Sequence, residues 1–140
     1  MAAGEAKQRD ARAAMFVSDD LGASWTALSP LPDDEVVGEL FAAEGVVLAT
    51  GLYNGRLHRS VDGGATWSVV ENGGAGWATR FAAHGGDFFA IVPGARGVFR
   101  SSDRGLTWGE TPLSFGEITG AVGMPWLVSA GGDLFASPGN

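Results

Sequence analysis

The stretch "SDDLGASW" at residues 18–25 reads as a surface turn closed by a tryptophan, and it is written twice more, as "SVDGGATW" at 60–67 and "SSDRGLTW" at 101–108. Ser18, Asp20, Gly22 and Trp25 recur as Ser60, Asp62, Gly64 and Trp67, and again as Ser101, Asp103, Gly105 and Trp108. Each position has a physical task. The Ser and Asp oxygens accept hydrogen bonds from turn amides. The Gly takes the positive φ of a tight reversal. The Trp covers the turn with a large apolar surface. An expectation follows that these residues are structural: each aspartate locks its own turn and is neither an acid catalyst nor a metal ligand.

The spacing is the second signal. Ser60 lies 42 residues after Ser18, and Ser101 lies 41 after Ser60. A period in the low forties is that of a four-stranded propeller blade. The intervals repeat as well: "LFAAEGVVLATG" at 40–51 aligns with "RFAAHGGDFFAIVPG" at 80–94 and more weakly with "TGAVGMPWLVSAG" at 119–131. The spacing predicts A strands at 35–43, 76–83 and 116–122, and B strands at 46–51, 87–92 and 126–130. C strands are predicted at 13–18, 56–60, 97–101 and 133–137, and D strands at 24–28, 66–70 and 107–111. The repeated phrase is then the C-to-D hairpin turn. The fold class is all-β, with blades of four antiparallel strands and about three blades per chain. A tail at 1–12 precedes a propeller unit at 13–140, divided into repeats 35–75, 76–115 and 116–140 plus 13–34.

The phrase resembles the Asp-box, the repeat of bacterial neuraminidases, and the resemblance holds at three sites. Sialidases, sortilin-type receptors, xyloglucan hydrolases and photosystem assembly factors carry it on propeller folds without sharing an activity, so it speaks for fold rather than function. It implies that the box turns lie on the face opposite any active site. That places the ligand face at the other loops, where Tyr53, Arg56, Trp77 and Arg96 are the candidate contacts, offering aromatic surface and fixed charge. A retaining sialidase would imply three arginines, a nucleophilic Tyr and a Glu partner. Tyr53 is the only tyrosine, and Arg56 and Arg96 are the obvious arginines of this face, so no catalytic residue is assigned.

Composition narrows the rest. The 140 residues are 45% apolar, with 23 glycines placed singly or in pairs between short apolar runs, which suits short strands and tight turns. The absence of cysteine excludes disulfides, thiol catalysis and cysteine-bound zinc. A formal charge of −7 opposes a nucleic-acid or anionic-membrane partner. No apolar run approaches the ~20 residues of a membrane helix. The first residues, "MAAGEAKQRDARAA", carry charges where an export signal needs its apolar stretch, so a soluble protein is expected, cytoplasmic if the chain is complete. No metal or cofactor is expected.

Consecutive Asp33, Asp34 and Glu35 are read as diverging, solvated side chains. His58 stands where the other repeats have Phe16, Phe99 and Phe135, and is read as a half-buried packing residue; His84 is read as exposed.

Three blades cannot close a ring, and an open array exposes two apolar faces. The expected function is therefore a non-enzymatic propeller module for self-assembly and for ligand or protein binding. A homodimer would complete six blades, with strand 24–28 of each copy finishing the last blade of the other and the duplicated strand 13–18 displaced. The alternatives are a fragment or relative of a sialidase-like or other glycoside hydrolase, and an engineered or evolutionary-model propeller fragment without a ligand, whose only role is to fold.

Overall fold

Short runs alternating apolar and polar side chains, punctuated by glycine, build strands too short to stand alone, so they pair with their sequence neighbours. The computed structural model describes residues 15–71, 75–92, 97–114, 126–130 and 132–137. Its strands are β1 (Phe16–Val17), β2 (Thr26–Ala27), β3 (Val37–Ala43), β4 (Val46–Gly51), β5 (Leu57–Ser60), β6 (Ser68–Val69), β7 (Arg80–His84), β8 (Asp87–Ile91), β9 (Gly97–Ser101), β10 (Gly109–Ser114), β11 (Trp126–Ala130) and β12 (Asp133–Ser137). One 3-10 turn, Pro32–Asp34, is the only helical element among the described residues. The fold is all-β.

Two four-stranded antiparallel sheets form in chain order, β3-β4-β5-β6 and β7-β8-β9-β10, flanked by the two-stranded hairpins β1-β2 and β11-β12. The strands fall in the expected order, but β1, β2 and β6 are only two residues long and β10 runs from Gly109 to Ser114 rather than over 107–111. The A strand expected to begin at 76 instead starts at Arg80, because residues 75–78 are held in a turn by Ala78 N–H donating to the Ala75 carbonyl at 3.0 Å. The expected strand at 116–122 and the tail lie outside the described residues. The strand expected to be displaced at 13–18 is in place: Phe16 pairs with Ala27 and Val17 with Thr26. Leu28 N–H, donating to the Met15 carbonyl at 2.8 Å, extends that ladder, so β1 and β2 pair within one chain, each along one edge.

The four layers stack in chain order through three apolar cores. Met15, Leu31 and Ala49, with Leu28, Val37 and Trp67, join the first hairpin to the first sheet. Val46, Leu48, Leu57, Phe81, Phe88 and Ala90 lie between the two four-stranded sheets. Phe41 stacks on Phe81 at 5.6 Å and meets Phe88 edge-on at 5.4 Å, while Trp108 meets Phe81 edge-on at 5.8 Å. These offset and edge geometries are the favourable ones for ring quadrupoles. Ala82, Ile91, Val98 and Leu127, with Leu134 and Ala136, join the second sheet to the last hairpin.

That last hairpin departs from the repeat. Met15, Leu57 and Val98 share one repeat position and face the layer that follows, whereas their counterpart Leu134 packs back against the second sheet. Phe135 is consequently turned outward and is 56% exposed, although its counterpart Phe99 packs in the central core.

The repeated turns are three copies of one hydrogen-bonded unit. Ser18 Oγ donates to Asp20 Oδ1 at 2.8 Å and accepts from Gly22 N–H at 2.8 Å. Asp20 Oδ1 accepts from Ser24 N–H at 2.8 Å, and Oδ2 from the Ser24 hydroxyl at 2.5 Å. Ser60, Asp62, Gly64 and Thr66 repeat these bonds at 2.7, 2.8, 2.9 and 2.5 Å. Ser101, Asp103, Gly105 and Thr107 do so at the same four distances. Each turn needs two successive positive φ values, at Leu21–Gly22, Gly63–Gly64 and Arg104–Gly105.

Candidate functional site

Both carboxylate oxygens of Asp20, Asp62 and Asp103 are occupied within their own turns. Hydrogen bonds from Ser24 lower the Asp20 pKa to about 2, and those from Thr66 do the same for Asp62. Burial works against ionisation of Asp103, but the bonds from Thr107 and Ser101 outweigh it and leave its pKa also at about 2. Carboxylates so satisfied are poor proton donors near neutrality. Among the described residues, no group of three His, Cys, Asp or Glu side chains is placed to hold a metal ion.

The chemistry that remains lies at the other end of the strands. β5 has a repeated turn after it and the loop 52–56 before it, so that loop and the segment 75–80 sit at the opposite end. Tyr53 is 80% exposed, Trp77 54%, and the Arg56 side chain 51%. Trp77 packs over Gly55: a Cβ there would fall 2.1 Å from the indole, and its φ of +63° already favours glycine. Gly76 faces the Gly55 carbonyl so closely that a Cβ would fall 1.6 Å from it. These two glycines bring Arg56 and Trp77 to one rim. Arg96 lies outside the described residues.

Arg56, a candidate contact of this face, is held by two carboxylates. Its Nη1 donates to Glu35 Oε1 at 2.9 Å and lies 3.4 Å from Asp33 Oδ2. The three consecutive acids do not all diverge, although Asp33 and Asp34 are exposed as expected. Asp33 and Asp34 take left-handed backbone conformations, φ +60° and +52°, which Asp tolerates better than most residues. The resulting bend brings Asp33 and Glu35 to the same guanidinium. Glu35, its side chain only 9% exposed, turns its other oxygen to His58 Nε2 at 2.7 Å. Burial opposes ionisation of Glu35, yet the hydrogen bonds from His58, Asn54 and Arg56 hold its carboxyl below the usual range.

His58 corrects the expectation of half-burial: it is 0% exposed. Its Nδ1 has no hydrogen-bond partner among the described residues. A carboxylate–imidazole pair is an element of base catalysis, but this imidazole reaches neither solvent nor a nucleophile. The pair acts instead as a brace, holding Glu35 so that Glu35 orients Arg56. Its one trace in the sequence is the replacement of an aromatic by His at a repeat position. His84, read as exposed, is half-buried, with Nδ1 3.1 Å from Ser129 Oγ.

Beside Trp77 a groove of about 200 Å³ opens between the two four-stranded sheets, lined by Glu39, Thr50, Leu52, Trp77, Thr79 and Arg80. Glu39 and Arg80 face each other across 3.5 Å, each side chain 27% exposed. Burial raises the Glu39 pKa against the opposing charge of Arg80. Thr79 Oγ1 is buried with no hydrogen-bond partner. An indole wall, a paired acid and base and a spare hydroxyl suit a ligand with both apolar faces and hydroxyl or amide groups. Sequence reasoning found Trp77 but not Glu39 or Arg80, which sit at ordinary strand positions.

No protein-family model matches the chain, and no curated protein does. No helix among the described residues is long and apolar enough to cross a membrane.

Proposed function

We propose that the chain is a non-enzymatic β-propeller module of the Asp-box type, the bacterial neuraminidase repeat. In this reading it assembles with itself and binds a carbohydrate or protein ligand at the loops opposite its box turns. Two chains complete a six-bladed ring. The observation that carries the binding assignment is the contrast between the two ends of the strands. At one end every box carboxylate is consumed by its own turn. At the other, Tyr53, Arg56 and Trp77 stand exposed, and Trp77 lines a groove. The guanidinium, its charge already met by Glu35 and Asp33, has further N–H donors for neutral oxygens such as hydroxyls or amide carbonyls, and exposed aromatic faces stack on sugar rings or side chains.

The test is a screen of oligosaccharide and peptide arrays, followed by amide-shift mapping of the strongest hit. Shifts are expected at 51–56 and 76–80, with binding reduced about tenfold or more in Trp77→Ala, the scale of a lost aromatic anchor. Shifts confined to the box turns would contradict the assignment. Hydrolysis of aryl glycosides by the purified chain would instead make it a relative of the glycoside hydrolases.

A further inference from the structure

The three box turns are alike in hydrogen bonding and unlike in what covers them. Gly64 is buried, and a Cβ on it would meet Leu28 Cδ1 of the preceding layer at 2.8 Å; Gly105 is buried, and a Cβ on it would meet Leu48 Cδ2 of the preceding sheet at 3.0 Å. Trp67 packs into the core with the first hairpin and donates from Nε1 to the Ser29 carbonyl at 3.2 Å. Trp108 packs into the core with the first sheet. Twice within the chain, therefore, a box glycine seats on a leucine of the layer before it while the box indole lies against the same face.

The first turn carries the same half of this joint with nothing among the described residues seated on it. A Cβ on Gly22 would meet only its own Trp25 within 4 Å. Trp25 is 63% exposed and Phe16 52%. Phe16 shares its repeat position with His58 and Phe99, both turned toward the layer before them. Ser18 is half-exposed, whereas Ser60 and Ser101 are buried. At the other end of the stack Phe135 stands exposed on the outer face of β11-β12.

We propose that the face formed by Phe16, Gly22 and Trp25 is an interface, covered in a second copy of the chain by the outer face of β11-β12 around Phe135. This rests on the self-assembly reading above but replaces strand donation, and with it the count of six blades, with face-to-face stacking of four layers per chain, since β1 and β2 already pair with each other. The repeat supplies the argument for the occupant: what covers this surface at its two internal copies is another layer of the same kind. Two chains related by a two-fold axis make this contact twice, which closes the assembly and leaves neither face in water.

The test uses light scattering on the full chain and three variants. Leu21, 106% exposed, occupies the position of Arg104 in the third turn, so Leu21→Arg is a control that the repeat itself tolerates. The wild type and Leu21→Arg are expected at twice the 14.4 kDa chain mass. Trp25→Arg and Phe135→Arg are expected as folded monomers by circular dichroism. As a readout independent of their folding, Trp25→Cys and Phe135→Cys chains are mixed and oxidised; the chain has no other cysteine. A covalent dimer from the mixture supports the interface. Dimeric Trp25→Arg and Phe135→Arg, or no cross-link in the mixture, overturns the interface while leaving self-assembly standing. A folded wild-type monomer overturns both.

Discussion

At the residue scale the second box turn makes separable demands on its two glycines. Gly63 has φ +72° and nothing within 4 Å of a Cβ, so Gly63→Ala brings backbone strain alone, about 1 kcal/mol. Gly64→Ala meets the same strain and also drives into Leu28, and it should lower the urea midpoint clearly more. Equal losses would mean that Leu28 does not seat on the turn. The box aspartates set the acid response. Their folded pKa, about 2, lies below the ordinary aspartate value of 3.8. Their stabilisation is therefore complete above about pH 4 and is lost as pH falls toward 2. Asp62→Asn should weaken stability at neutral pH and flatten the decline between pH 4 and 2; an unchanged slope would show that the Asp62 carboxylate is not held as described. The roles of these residues were legible because their partners lie within four positions along the chain. Glu35 was not legible, since its partners depend on two left-handed residues at Asp33 and Asp34 and on His58, 23 positions away.

At the element scale the indoles tie each sheet to the one before it. Trp67 and Trp108 are half-buried, so replacing either with Ala should cost about 2–3 kcal/mol, below the 3–5 of a fully enclosed aromatic. A loss under about 0.5 kcal/mol, the scale of a neutral surface change, would mean that the layers are held by other contacts. The brace beneath Arg56 gives a paired test. Glu35→Ala leaves His58 buried without its one hydrogen bond and should cost about 1–3 kcal/mol. Adding His58→Phe, which restores the aromatic of the sister repeats, should recover most of that loss; additive losses in the double variant would contradict the brace. The strands themselves were legible from alternation and glycine punctuation. The groove was not, because Glu39, Thr50 and Arg80 meet only when two sheets, each read separately, are stacked.

At the scale of the whole molecule, the period of 41–42 residues between box serines foretold sheets that each contact only their neighbours, and the cores join the layers in that order. The outward turn of Phe135 was not foretold, because the repeat assigns it the face that Phe99 buries. An array of this kind leaves apolar side chains in water at both ends, Phe16 and Trp25 at one and Phe135 at the other, at a hydrophobic cost of roughly 25 cal/mol per Å² left uncovered. Covering both faces with a second copy removes that cost without any new element. The most direct measurement is the mass of the purified chain by light scattering at micromolar concentration, with circular dichroism confirming the β-fold. A single species at twice 14.4 kDa is predicted; a folded species at 14.4 kDa, or a trimer, would contradict the account.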